Sequence, residues 1–267
     1  MNGKRVFAGF FGTIIAIVEI GLLSGCATDK KFVLTQIAMS DEQKGWALTA
    51  ENEPLHTTSG TENFTCVKTF DKTLPVSEGE ISLCAVDENT AYTAYFSMDG
   101  ENILVEYTTD AGENWKDTEV SYASCGGAYK AYLSFADREH GYLLYCSDPG
   151  AGMMTKILFS TEDGGETWQS MELPRYDGKD SLYIEGTAPV FFGENQKQGK
   201  LLLQYVTAEK RNTILYTSED GGETWTPQQE LECDSVRSYD FFSENDGYLV
   251  DETGCLLQLK ASTGTAR

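Results

Sequence analysis

Histidine is almost missing from the 267-residue chain, with His56 and His140 the only two. A metal site built on imidazoles is therefore out of reach, and a Ser/His/Asp triad would have to use one of that pair. Basic residues are scarce as well. Lys and Arg total 20 against 42 Asp and Glu, a formal net charge of -22 and a pI near 4.3, so nucleic acid and anionic headgroups are poor partners. No two cysteines have CxxC spacing, which removes the common zinc and dithiol motifs, and no cofactor or metal is expected. No apolar run reaches the roughly 20 residues that span a bilayer; Val6 to Val18 is almost wholly apolar but stops at Glu19. No segment keeps a helical period. What is there is a globular composition, 40% hydrophobic and 23% charged.

The first residues read as an address. Lys4 and Arg5 precede the apolar run, and the segment closes with Leu23-Ser24-Gly25-Cys26, the layout of a signal peptide. The closing tetrapeptide resembles the lipobox of bacterial lipoproteins. That resemblance implies a signal peptide over 1–25, a lipidated Cys26 and linker over 26–31, and a body over 32–267. The body would face outside the cytoplasm, held to the cell membrane by a diacylglyceryl and palmitate anchor. Cleavage would remove Lys4, Arg5 and Glu19, leaving the exported part more acidic still. Six cysteines follow Cys26, an even number in a compartment where disulfides are permitted.

A repeat organises the rest. Thr108 to Trp115, Thr161 to Trp168 and Ser218 to Trp225 all read [ST]-x-D-x-G-x-[TN]-W, and Thr57 to Phe64 is a weaker copy. Their terminal aromatics fall 51, 53 and 57 residues apart. A second signature precedes three of these copies and recurs after the last. It is a polar turn closing on a small residue and an aromatic: Gly45-Trp46, Ala91-Tyr92, Gly141-Tyr142 and Gly247-Tyr248. Periods near 50 with turn punctuation mark propellers and solenoids. β-rich runs such as Gly141 to Cys146 and Lys156 to Ser160 flank the turns, which gives four antiparallel strands per unit. The expected fold is all-β, a single β-propeller of about five four-stranded blades, with the Asp-motif hairpin between third and fourth strands. The fifth unit lacks an outer strand, and Phe32 to Thr35 would supply it as a latch.

The Asp motif resembles the Asp-box, or BNR repeat, of sialidases, xyloglucan-degrading enzymes, sortilin-type receptors and photosystem II assembly factors, and the layout as a whole is similar to BNR-repeat lipoproteins of bacteria. Its parts read as structural. Asp110, Asp163 and Asp220 would accept from backbone N–H groups of their own loop, Gly112, Gly165 and Gly222 would permit the turn, and Trp115, Trp168 and Trp225 would fold back as apolar plugs. The sialidase arginine triad, tyrosine nucleophile and Arg-Ile-Pro signature do not carry over, since after Cys26 the arginines are only Arg138, Arg175, Arg211, Arg237 and Arg267. The expected function is thus a binding or assembly module for a protein or glycan, with no catalytic residue assigned. The alternative is a sialidase-like or other glycoside hydrolase using a carboxylate pair. The candidate recognition patch, in loops away from the Asp hairpins, is Tyr122, Tyr129, Met153, Met154, Arg175 and Tyr176. The topology brings Cys125 near Cys146 and Cys233 near Cys255, so two disulfides are expected, the alternative being buried thiols.

Overall fold

Five antiparallel sheets follow one another along the chain, each a meander in which every strand pairs with the next. The computed structural model describes residues 32–60, 63–68, 81–98, 100–122, 127–147, 154–175, 188–192, 197–206, 211–231, 236–241, 243, 246–251 and 253–260. The chain divides into two units, Met1–Ala123 and Ser124–Arg267. In the first, blade 1 comprises β1 (Leu34–Met39), β2 (Gly45–Thr49), β3 (Pro54–Thr57) and β4 (Thr65–Cys66), and blade 2 comprises β5 (Ser82–Ala85), β6 (Ala91–Phe96), β7 (Asn102–Thr108) and β8 (Lys116–Ser121). In the second, blade 3 is β9 (Ala128–Phe135), β10 (Gly141–Ser147), β11 (Lys156–Thr161) and β12 (Gln169–Met171). Blade 4 is β13 (Val190–Phe192), β14 (Gln198–Val206), β15 (Arg211–Ser218) and β16 (Thr226–Leu231), and blade 5 is β17 (Val236–Phe241), β18 (Asp246–Asp251) and β19 (Leu256–Lys260). The fold is all-β and of the five-bladed propeller class, as the repeat predicts.

Burial follows strand position. The second strands β2 and β10 are buried at every residue, while the fourth strands β8 and β16 are mostly exposed. A second strand therefore has apolar neighbours on both faces. Within the first unit, Trp46 of blade 1 packs with Ile81, Leu83, Ala85, Ala91 and Tyr95 of blade 2, and its indole N–H donates to the Asp87 carbonyl at 2.9 Å. Within the second, Tyr142 of blade 3 stacks on Phe191 of blade 4 at 4.1 Å and 13°, and its hydroxyl donates to the Gly221 carbonyl at 2.7 Å. In blades 1 and 3 the aromatic of the second signature is thus the residue that reaches the following blade.

The small residue before it has an equally definite cause. Gly45 is register-paired with Met39, Gly141 with Phe135 and Gly247 with Phe241. A Cβ on Gly45 would lie 2.6 Å from the Met39 sulfur, and one on Gly141 or Gly247 would run into the paired phenyl ring. Gly199, which opens the same position in blade 4, would meet the Phe191 ring. Blade 2 carries Ala91 instead, and there the partner is Ala85. In blades 1, 3 and 5 the long side chain ending the first strand folds over a backbone that has no side chain to receive it.

One expectation is corrected. Phe32 to Thr35 does not serve as a latch for blade 5: Leu34 is paired with Thr49 at the start of β1, and the Val33 carbonyl accepts from Ala50 N–H at 2.7 Å. Leu34 is buried with Ala47 and Leu55 of blade 1, with Phe32 packed against them. Leu34 and Phe32 thus pack within blade 1, while the Val33 side chain stays exposed. Blade 5 has three strands among the described residues.

Replacing Gly141 with Ala should cost about 1–3 kcal/mol by overpacking against Phe135. In a Phe135→Ala background the same change should cost close to nothing, because the pair then matches Ala85 and Ala91. Urea denaturation of the four proteins of this cycle measures the coupling; equal costs in both backgrounds would show that the ring does not dictate the glycine.

Candidate binding site

Two kinds of loop cap each blade, and one kind is fully committed to structure. In the blade 3 Asp-box, Thr161 Oγ1 donates to Asp163 Oδ1 at 2.7 Å and accepts from Gly165 N–H at 2.9 Å. Thr167 N–H donates to Asp163 Oδ1 at 2.8 Å and Thr167 Oγ1 to Asp163 Oδ2 at 2.6 Å. Blade 2 repeats the pattern with Thr108, Asp110, Gly112 and Asn114, and blade 4 with Ser218, Asp220, Gly222 and Thr224. Side-chain and backbone donors from Asn114 hold Asp110 below the usual carboxylate range, and those from Thr167 do the same for Asp163. Burial pushes Asp220 up, but the Thr224 and Ser218 donors outweigh it, so its pKa also falls.

The turn joining first and second strands is built in the same way. Asp41 Oδ1 accepts from the N–H groups of Gln43 and Lys44, Asp87 Oδ1 from Asn89 and Thr90, and Asp137 Oδ1 from Glu139 and His140. The carbonyl this turn presents then meets the Asp-box of the same blade. Gly60 N–H donates to Gln43 O at 2.6 Å, Ala111 to Asn89 O at 2.9 Å, Gly164 to Glu139 O at 2.9 Å and Gly221 to Lys197 O at 3.0 Å. All four donors have positive φ, between 60° and 83°, which is why three of them are glycines and why Ala111 is the strained member of the set. Both histidines are drawn in as well: His140 Nδ1 lies 2.9 Å from Asp137 Oδ1, and His56 Nε2 lies 2.8 Å from the Glu88 carbonyl, to which it donates.

The Asp-box tryptophans pack as plugs would. All three are half-buried. Trp115 meets Trp46 edge-on at 6.4 Å, Trp168 meets Phe135 at 6.0 Å and Trp225 meets Phe191 at 5.9 Å.

The opposite end of blade 3, where β9 and β11 start and β10 ends, carries a different set of side chains. Cys146 is register-paired with Lys130 on one side and with Lys156 on the other. Cys146 and Met154 are buried in one cluster with Tyr142, Leu144, Leu158, Ala188 and Phe191, and Tyr129 and Tyr132 pack against it. Lys130 Nζ lies 5.5 Å from the Tyr129 ring centre and 6.0 Å from that of Tyr132. Burial pushes the Lys156 ammonium down to about 8, opposed in part by the Cys146 thiol.

The sequence-derived patch is therefore divided. Tyr129 and Met154 come together in this cluster, and Arg175 is exposed beyond β12. Tyr122 lies in the other unit, 3% exposed, its hydroxyl donating to the Gly100 carbonyl at 2.6 Å and its ring edge-on to Phe96; it closes the β6–β7 hairpin and presents no open face. Cys26, Met153 and Tyr176 lie outside the described residues, as do Cys125 and Cys233, the proposed partners of buried Cys146 and exposed Cys255. Lys130, Tyr132 and Lys156 were not singled out from sequence, because only the strand register sets them beside one another. Among the described residues no group of three or more His, Cys, Asp or Glu could hold a metal ion.

No family model matches the chain. A sialidase of Bacteroides fragilis is 27% identical over 144 residues, which cover 52% of this chain and 25% of that protein; the chain spans about a quarter of the length of that relative. Among solved structures, the GH74 xyloglucanase from Xanthomonas campestris superposes with a TM-score of 0.53 at 12% identity, over 85% of this chain and 37% of that one. That is a likeness of fold. A structure of YCF48 bound to D1 peptide, 12% identical, covers 82% of this chain and 90% of its own with a looser TM-score of 0.34.

Because the folded pKa values of Asp110, Asp163 and Asp220 lie below an unfolded value of about 3.9, their contribution to stability is complete above that value. It is lost as pH falls through the folded values. The urea midpoint should therefore drop between pH 5 and pH 2, and Asp163→Asn, which keeps an acceptor but cannot titrate, should reduce that drop. An unchanged drop in the variant would show that the Asp163 carboxylate is not linked to folding.

Proposed function

We propose that this chain is a lipid-anchored, extracytoplasmic propeller that binds a protein or a glycan without transforming it. The observation that carries this reading is where the carboxylates go. A glycoside hydrolase needs a carboxyl group held high enough to donate a proton, roughly 5–10 Å from a second carboxylate. Here Asp110, Asp137, Asp163, Asp220 and Asp251 are all held low, each accepting from N–H groups of its own turn. Asp110, Asp137, Asp163 and Asp220 thereby stabilise the loops at one end of their blades, which leaves the loops at the opposite ends to present variable side chains; Asp251 caps the β18–β19 turn at that other end of blade 5.

Export and anchoring rest on Lys4, Arg5, the apolar run and Leu23 to Cys26, all outside the described residues. On this reading one partner is the bilayer, through a diacylglyceryl group on Cys26, and the net charge of -22 disfavours nucleic acid. Among the described residues no helix is long and apolar enough to cross a membrane. A second reading, a sialidase-like glycoside hydrolase, is favoured by the partial match to the Bacteroides sialidase.

Cys26→Ala should move the protein from the membrane to the soluble fraction and abolish labelling by an alkyne fatty acid; unchanged labelling would contradict the anchor. The anchored protein, incubated with sialosides and with xyloglucan, should release no sugar. Release that survives purification to homogeneity would replace the binding reading with the hydrolase.

A further inference from the structure

We propose that Lys130 and Lys156 form a binding site for a uronic acid, a sugar ring carrying one carboxylate, at the end of blade 3 away from its Asp-box. The inference rests on the binding-module reading and names its ligand class. Residues directly opposite one another on antiparallel strands project from the same face. Lys130, Cys146 and Lys156 therefore form a row across β9, β10 and β11, with the two lysine backbones about two strand spacings, or roughly 10 Å, apart. Long side chains at that separation can converge on one carboxylate from either side. Cys146 between them is fully buried and supplies a thiol rather than a competing carboxylate.

Aromatic surface lies beside the cations. Tyr132 follows Lys130 by two residues and shares its face, and the Tyr129 and Tyr132 rings both lie within 6.0 Å of Lys130 Nζ. Both tyrosines are half-buried. Phenol rings offer flat apolar faces to the C–H face of a pyranose, while the carboxylate engages the amines. Lys156 has already lost much of its hydration, since burial pulls its pKa to about 8. An anion placed beside it restores the charged form, so binding should raise that value. The Met154 carbonyl lies 3.5 Å from this Nζ, and Cys146 on β10 and Lys130 on β9 stand in register beside it.

The overall charge of -22 decides how much anionic charge the ligand can carry. Repulsion from distant carboxylates is screened beyond about 8 Å at physiological salt, so one carboxylate per ring is tolerated where a polyphosphate is not. A sugar uses the tyrosines as well as the lysines. An acidic peptide adds further negative charge and makes no demand on the rings.

The test is calorimetric titration of the full chain with digalacturonate, neutral galactobiose and an acidic hexapeptide. Digalacturonate should bind at least tenfold more tightly than the other two. Lys156→Met should weaken it at least tenfold while Lys156→Arg retains it, with thermal melting as the check on folding. Should Lys156→Met fail to fold, Lys130→Met gives the same comparison. In the free and bound protein, NMR titration of 13C-methylated lysines should show the Lys156 pKa rising on binding. No binding of digalacturonate at millimolar concentration, equal binding of galactobiose, hexapeptide binding as tight, or full affinity in the methionine variants would each overturn the site. If the anchored protein binds another ligand unaltered while digalacturonate fails, the binding-module reading stands and this site alone falls.

Discussion

One backbone hydrogen bond, repeated in four blades, organises the structure: the N–H at the fourth position of the Asp-box donates to the carbonyl of the turn between first and second strands. Gly60 to Gln43, Ala111 to Asn89, Gly164 to Glu139 and Gly221 to Lys197 are the four instances. In blades 2 and 3 both partners are shaped for the contact by their own side chains, a carboxylate capping N–H groups on each side. The donors must adopt positive φ to point outward from the hairpin, and that backbone requirement selects glycine. A blade's first and third connections are thereby tied together, so that its sheet edges are held at one end by a polar lock and along their length by apolar packing.

Packing between blades follows from the lock. In blades 1, 3 and 5 a glycine at or next to the start of the second strand lies under the last side chain of the first strand, and in blades 1 and 3 the residue after it reaches the next blade. Trp46 and Tyr142 do this with a ring and a polar atom together, filling apolar space and donating to a backbone carbonyl of the next blade. Blade 4 solves the same position with Lys200, 1% exposed, whose ammonium donates to Gln228 Oε1 at 2.5 Å and lies 5.9 Å from the Phe241 ring of blade 5. The Asp-box aspartates Asp110, Asp163 and Asp220 are held ionised by the donors of their own hairpins.

The hairpins and blade count were legible because their causes are local: a left-handed turn, a capping carboxylate and a strand period leave marks a few residues apart. Blade 4 was harder to see at its first turn, since Lys200 stands where the other blades have an aromatic and its role depends on Gln228 and Phe241, far away in sequence. The expected latch over Phe32 to Thr35 did not survive for a related reason. Strand character says that a segment will pair, but not with which neighbour, and Leu34 is claimed by Ala47 and Leu55. Tyr122 has the sequence context of an interface aromatic, but its hydroxyl closes on the Gly100 carbonyl, a contact 22 positions away that loop composition does not reveal. Lys130 and Lys156 stand 26 positions apart in sequence, and only the register through Cys146 joins them.

The lock is tested most directly by amide hydrogen exchange at Ala111, Gly164 and Gly221. These N–H groups sit in surface hairpins rich in glycine and acid, where unbonded amides exchange freely, yet the account requires them to be protected to nearly the level of the second-strand amides. Protection at all three, lost at Gly164 when the turn carrying Glu139 is loosened by Asp137→Gly, is the predicted result. Exchange at the rate of exposed loops in the native protein would contradict it, and the turns would then be capped separately rather than joined.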